Sequence, residues 1–326
     1  MELSEIYEPI KDDLVKVERG LRGVSKVGYE WLARLLEQSV GGGGKQIRPA
    51  LTLLSGRFYD YNLTKLLPMA IGVELLHTAT LVHDDAIDHS AVRRGRPTIN
   101  SIWGEDKAVL LGDYLFAKAG EFTATTKNLR AIMLFTQTLE TISSGEINQI
   151  FNSFRLEQTR EDYIQRIAAK TASLFTLSTE SGTVLSRAPA RAVQVLRNYG
   201  YNLGIAFQIV DDILDFIGTE EELGKPVGSD LSQGTLTLPA MLLNQRYPKD
   251  NPVKTIFGGS SLPAEEKQKL IRQAIEMVRG SPIVAECYEM ASGYARKACA
   301  EFNLLPDKDS RPSLEGLAEF VVQRKV

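Results

Sequence analysis

Residues 75–88 read LLHTATLVHDDAID, and residues 204–215 read GIAFQIVDDILD. Each stretch is mostly apolar and ends in the same pattern, Asp84-Asp85-x-x-Asp88 and Asp211-Asp212-x-x-Asp215. The two clusters stand 127 positions apart, from 84 to 211. Apolar residues at three- and four-residue steps make both stretches helical, and on a helix positions i and i+4 share a face. Asp84 therefore points with Asp88, and Asp211 with Asp215. Carboxylates gathered at the end of an apolar stripe repel one another and lose hydration unless a cation joins them. A single cluster of this kind is often just a solvated helix end. Two copies with one spacing point to a shared task, and paired carboxylates that leave room for phosphate oxygens suit Mg²⁺.

Basic residues fall where such a task needs them. Lys45 and Arg48 lie in GGGGKQIRPALTLL (41–54), and Arg93, Arg94 and Arg96 in HSAVRRGRPTIN (89–100). Lys170 and Thr171 lie in IQRIAAKTASLF (164–175), and Lys225 in GTEEELGKPVGSDLSQGTLTLPAM (218–241). Any one of them reads as a surface charge. Set beside acidic clusters and glycine turns, they describe a site that grips polyphosphate oxyanions.

The helical period runs through almost the whole chain, including residues 7–24, 65–85, 108–124, 129–151, 161–185, 191–218 and 263–302, and strand-like alternation is nearly absent. The expected fold is all-α: one domain over residues 1–326, an antiparallel helical bundle around a deep central cavity with both clusters at its mouth. Breaks fall at Gly41–Gly44, Gly95–Pro97, Gly218–Pro239 and Gly258–Pro263. The stretch from Gly218 to Thr237 is long for a connector and reads as a mobile, ligand-ordered lid. The glycine run is not a phosphate-cradling loop of the G-x-x-x-x-G-K-[ST] kind, because Ser39 and Gln46 break that pattern.

With 43% hydrophobic and 24% charged residues, the composition of the 326-residue chain is ordinary for a globular protein. A net charge of −3 argues against nucleic acid as a partner. Two cysteines, Cys287 and Cys299, make neither a metal motif nor a disulfide framework, and a reducing cytoplasm is the expected setting. The acidic, amphipathic N-terminus does not read as a signal peptide. The expectation is that no apolar run approaches the roughly 18 residues that cross a bilayer. His77, His83 and His89 are spaced six and six, which fits no zinc motif.

From the GGGGKQIRP segment to the C-terminal LPDKDSRPSLEGLAEFVVQRKV, the chain resembles the trans-isoprenyl diphosphate synthases, the polyprenyl synthetase family. DDAIDHSAVRRG (84–95) keeps the DDxxDxxxxRRG spacing, and FQIVDDILD (207–215) is followed by GKPVGSDL (224–231). The resemblance implies Mg²⁺-dependent, head-to-tail condensation of isopentenyl diphosphate with an allylic prenyl diphosphate. Carried over residue by residue, it makes Lys45, Arg48, His77 and Arg94 ligands of isopentenyl diphosphate, and Arg93, Lys170 and Lys225 ligands of the allylic diphosphate. Asp84, Asp88 and Asp211 become direct metal ligands, with Asp85, Asp212 and Asp215 acting through water or as supports. Thr171 and Gln208 would face the allylic cation. No protein base is implied, since released diphosphate can take the proton. Thr235 stands where many relatives carry a lysine, which removes one diphosphate contact. A homodimer is implied as well, with transient membrane contact for product release.

Chain length depends on what lies beneath the first cluster. Ala79 and Thr80 sit about one helical turn below Asp84, where short-chain relatives carry a bulky aromatic. Both are small here, and LLHTATLVHDD looks like the long-chain subgroup. The expected product is all-trans hexa- to nonaprenyl diphosphate, with Met133 or Phe135 as the floor. Geranylgeranyl or farnesyl diphosphate is the alternative. From other classes, a non-catalytic subunit of a heteromeric synthase should have eroded aspartates, and a terpene cyclase should lack a second DDxxD and have no need of Lys45 and Arg48.

Overall fold

The computed structural model describes residues 2–40, 44–93, 95–223, 226–249, 251–258 and 262–324. The N-terminal helices are α1 (Leu3–Ile6), α2 (Lys11–Gly23), α3 (Glu30–Val40) and α4 (Ile47–Gly56), followed by the long α5 (Leu63–Ile87). After α6 (Ile99–Trp103) come α7 (Glu105–Thr125), α8 (Leu129–Phe151), α9 (Arg160–Ile167), α10 (Ser173–Leu185) and α11 (Ala190–Ile217). Short α12 (Glu220–Leu223), α13 (Ser229–Ser232), α14 (Leu238–Arg246) and α15 (Pro252–Ile256) lead into α16 (Ala264–Arg279), α17 (Ile283–Cys299) and α18 (Ser310–Gln323). Among the described residues the one sheet is a two-stranded hairpin, Val92–Arg93 against Arg96–Pro97, turned by Gly95 in the left-handed region. The fold is all-α, as the helical period predicts.

Two helices organise the packing. Along α5 runs α7, while α11 lies between α10 and α17. Helix α11 also joins two apolar cores: Leu196, Tyr199 and Leu203 enter one, and Ile205, Ile209 and Ile213 enter the other. Burial of both sides explains why a 28-residue helix carries so little polar surface in its second half. Helix α5 corrects one sequence expectation. It is long and apolar enough to cross a membrane by length and composition alone. Twelve of its residues are buried in the protein, so it serves as a core helix against α4, α7 and α10.

The stretch 161–185, expected as one helix, is interrupted. Between α9 and α10 the residues Ala168–Ala172 form a π-turn that carries Lys170 and Thr171. Such wide turns bulge a helix and re-aim its side chains. Neighbouring helices approach it through glycine: a Cβ on Gly145 of α8 would meet Ala169 Cβ at 2.7 Å, and one on Gly204 of α11 would meet Ala172 Cα at 2.5 Å. Upstream, Thr159 and Asp162 form a reciprocal cap that fixes where α9 begins.

Much of the expected lid is tied down. Gly228 N–H donates to the Asp215 carbonyl at 2.9 Å, Leu231 is buried, and α13 packs on α16. Apolar residues inside this glycine-rich segment give it a core to join, which its composition had hidden.

Candidate active site

Helix α5 delivers the first cluster at its C-terminal end. Asp84 lies in the last turn and Asp88 is the cap residue, so their carboxylates meet the negative end of the helix dipole. That placement is unfavourable without cations, and cations surround it. Lys170 Nζ lies 3.7 Å from Asp84 Oδ2 and 2.7 Å from Glu146 Oε1, spanning α5, the π-turn and α8. Arg93 Nε donates to Asp85 Oδ1 at 2.7 Å. Burial pushes the Asp85 and Asp88 carboxyls up from the usual range, and Arg93 and Lys170 draw them partly back. Glu146 is likewise raised by burial, with Lys170 opposing. Burial pulls the Lys170 ammonium down, yet Asp84, Glu146 and Asp88 outweigh it and hold it above its ordinary value.

Helix α11 delivers the second cluster, and its three aspartates differ. Asp211 keeps a half-exposed side chain and accepts from Arg324 Nη2 at 2.5 Å. Asp212 is 2% exposed; Tyr163 Oη donates to its Oδ2 and Gln208 Nε2 to its Oδ1, both at 2.8 Å. Burial and the nearby Asp230 push its carboxyl up to about 7. Asp215, 1% exposed, accepts from Ser229 Oγ at 3.0 Å and from Asp230 N–H at 3.3 Å. Asp212 and Asp215 thus support the loop and the helix end, while Asp211 keeps part of its carboxylate accessible.

The clusters belong to one site. Lys170, which pairs with Asp84, is followed by Thr171, whose Oγ1 donates to Gln208 Oε1 at 2.5 Å, one turn before Asp212. Gln233 of the loop anchored on Asp215 hydrogen-bonds Asp88. Among the described residues, no three acidic, histidine or cysteine side chains form a ready-made metal cage. For Mg²⁺ none is needed, since it commonly binds one or two carboxylates and completes its shell with substrate phosphate and water. Asp84 and Asp211 keep part of their carboxylate surface accessible and Asp88 lies exposed at the helix end, the kind of carboxylate that could serve as such a donor.

Lys45 and Arg48 sit at the start of α4, on the flank closed by α18. Lys45 Nζ lies 5.7 Å from the Phe320 ring centroid, and its carbonyl accepts from Tyr7 Oη. The Arg48 guanidinium stacks over Phe175 at 5.0 Å. His77 is half-buried on α5, its carbonyl accepting from Thr80 Oγ1. Arg94 and Lys225 lie outside the described residues, as do Gly41–Gly43. His83 contacts the Val109 carbonyl at 2.9 Å and packs edge-on to Phe116, while His89 pairs with Glu105 on the surface.

Below the first cluster, Ala79 is fully buried and Thr80 half-buried. Phe135 faces inward at 4% exposure. Met133 is 50% exposed on the outer side of α8, which corrects its expected place in the floor of this chain. Residues two apart on a helix are about 200° apart, so the pair could not face one way.

Sequence reading missed Glu146, Tyr163, Gln233 and Arg324. Arg324 follows α18, 113 positions from Asp211, and also stacks on Phe207 at 3.8 Å and donates to its carbonyl. No spacing rule connects residues so distant. Glu146 lies on the α8 face towards Lys170, but GEINQIF alone carries no sign of a partner.

An all-α bundle that sets two aspartate clusters and their cations at adjoining helix ends has the architecture of a prenyltransferase. The comparisons agree. The profile of the polyprenyl synthetase family matches residues 29–278. Heptaprenyl diphosphate synthase component 2 of Geobacillus stearothermophilus is 37% identical over 324 residues, covering 99% of both chains. Its namesake in Bacillus subtilis (strain 168) is 36% identical over 325 residues, covering 100% of this chain and 92% of its own. A polyprenyl synthase structure from Caulobacter crescentus, complexed with calcium and isoprenyl diphosphate, superposes with TM-score 0.92 at 33% identity, covering 100% of this chain and 98% of that one. The chain belongs to the polyprenyl synthetase family and is a prenyltransferase of the prenyl diphosphate synthases, which bind isopentenyl and allylic diphosphates.

Proposed function

We propose that the chain condenses isopentenyl diphosphate with an allylic prenyl diphosphate, using Mg²⁺, to give an all-trans polyprenyl diphosphate of six to nine isoprene units. The observation that carries this reading is the continuity of the site, in which Asp84, Lys170, Thr171, Gln208 and Asp212 form one connected run. Divalent ions held by Asp84, Asp88 and Asp211 would neutralise charge on the leaving diphosphate as a Lewis acid. Lys170 would hold the same diphosphate from the side of the π-turn, with Arg93 and Lys225 assigned to it by family likeness. Lys45 and Arg48, with His77 and Arg94, would hold isopentenyl diphosphate on the α4 flank. As the allylic C–O bond breaks, Thr171 and Gln208 would offer oxygen dipoles to the carbon cation. The double bond of isopentenyl diphosphate then attacks, a C–C bond forms, and the released diphosphate removes the proton.

Long-chain product is supported by the small residues beneath Asp84 and by the heptaprenyl names of the relatives. Two further assignments belong to this reading. Residues 1–326 act as one domain, since α11 joins both cores. The chain works as a homodimer in the cytoplasm, through a face of α7 and α8 that exposes Leu110, Leu129, Met133, Ile147 and Phe151. Gel filtration at twice the chain mass is the expected result.

A second reading has support in the name "component 2" of those relatives: turnover could require a different subunit. Incubating the purified chain alone with isopentenyl diphosphate, a farnesyl primer and Mg²⁺ separates the two. Elongated product supports the self-sufficient enzyme; activity only on adding a second protein supports the heteromer.

A further inference from the structure

We propose that Tyr163 is a positioning residue for prenyl transfer, orienting the Thr171 hydroxyl through Asp212 and Gln208. The proposal rests on the reading that Thr171 faces the reacting allylic carbon. Tyr163 lies on α9, fully buried and outside any reach of solvent or substrate diphosphate. Its hydroxyl donates to Asp212 Oδ2, and Gln208 Nε2 donates to Asp212 Oδ1, each at 2.8 Å. With Asp212 ionised, its carboxylate only accepts, so both partners then donate to it. That fixes the Gln208 amide with Nε2 towards Asp212 and Oε1 towards Thr171. Gln208 Oε1 likewise only accepts, so the Thr171 proton must point at it, as the 2.5 Å contact requires.

The direction of this run has a chemical consequence. With its proton committed to Gln208, the Thr171 oxygen can present only lone pairs to what lies beyond it. A carbon that gains positive charge as diphosphate leaves is stabilised by a lone pair and destabilised by an O–H dipole aimed the other way. The Gln208 donation to Asp212 makes Oε1 a stronger acceptor and so polarises the Thr171 oxygen, since hydrogen bonds in sequence strengthen one another. The wide π-turn makes the geometry available by setting Thr171, at 6% exposure, opposite Gln208 on α11. Without the Tyr163 donor, one oxygen of a buried carboxylate loses its partner and Asp212 is free to turn away from Gln208. The amide can then flip and reverse the Thr171 hydroxyl. Tyr163 supplies no atom to the reaction; it removes a choice of direction.

The test is a double-mutant cycle in the full-length enzyme, reading kcat, the KM of both substrates and the melting temperature. Tyr163→Phe should lower kcat about tenfold or more, the range seen for outer partners of a catalytic group, with both KM values within a factor of about two. Thr171→Val should also lower kcat, and the double variant should be no slower than Thr171→Val, because the two act through one run of bonds. Gln208→Leu cuts the run while leaving the Tyr163–Asp212 bond, and in that background Tyr163→Phe should change kcat little. If Tyr163→Phe folds poorly by itself, comparison within the Gln208→Leu background still decides. Additive losses, or a Tyr163→Phe enzyme with unchanged kcat, would overturn the proposal. Full kcat in Thr171→Val would overturn it by removing the residue on which it acts, while leaving prenyl transfer itself intact. A wild-type chain that makes no prenyl product would sink the functional reading first.

Discussion

At the scale of single residues, six aspartates of identical spacing do different work because their surroundings differ. Asp88 is exposed and Asp84 and Asp211 are part-exposed, whereas Asp212 and Asp215 are buried and hydrogen-bonded. Asp84→Ala and Asp211→Ala should each lower kcat by more than the roughly 100-fold upper range for supporting partners; steady-state rates that fall less than tenfold would reject the ligand assignment. Lys45→Ala should raise the KM for isopentenyl diphosphate with less effect on that for the allylic primer. Equal increases for both would place Lys45 elsewhere. Much of this was legible beforehand, since carboxylates at i and i+4 on an apolar helix declare themselves. Partners such as Glu146 and Arg324 were not, because only the fold brings them to Lys170 and Asp211.

At the scale of elements, α5 carries the first aspartate cluster and, one turn below it, Ala79 and Thr80, which the proposed function makes the wall of the growing product. Ala79 lies about 7.5 Å below Asp84 along the helix at 1.5 Å per residue. Ala79→Phe should shorten the product to three or four units while retaining turnover, read by chromatography of the dephosphorylated chains. An unchanged length distribution would mean the chain does not run along α5. Helix existence was read well from the 3.6-residue period. The π-turn at Ala168–Ala172 escaped it, because a one-residue bulge barely disturbs an apolar pattern yet turns Lys170 and Thr171 towards the site. In the stretch after Gly218, glycine content suggested mobility throughout, while Leu231 and the bonds to Asp215 anchor its later, described part.

At the scale of the whole molecule, concentrated negative charge makes stability depend on pH and metal together. Asp85, Asp88, Glu146 and Asp212 all have carboxyls raised in the folded state, Asp212 to about 7, with burial the leading cause. Between the ordinary carboxylate range, near 4, and about pH 7 the folded chain therefore binds more protons than the unfolded one. Stability should fall as pH rises through that window. Mg²⁺ prefers ionised carboxylates, so its stabilising effect should be largest above it. Thermal melts of metal-free and Mg²⁺-loaded protein would show the two curves separating with rising pH. Curves that stay parallel would contradict the carboxylate assignment.

The central claim is metal-dependent elongation by the two clusters acting as one site, and it is tested most directly by one assay. Purified protein is incubated with isopentenyl diphosphate and farnesyl diphosphate, with Mg²⁺ or with EDTA, and the product lengths are measured. The expected result is all-trans product of six to nine isoprene units with Mg²⁺ and none with EDTA. Full turnover in EDTA, or product that stops at three or four units, would contradict it.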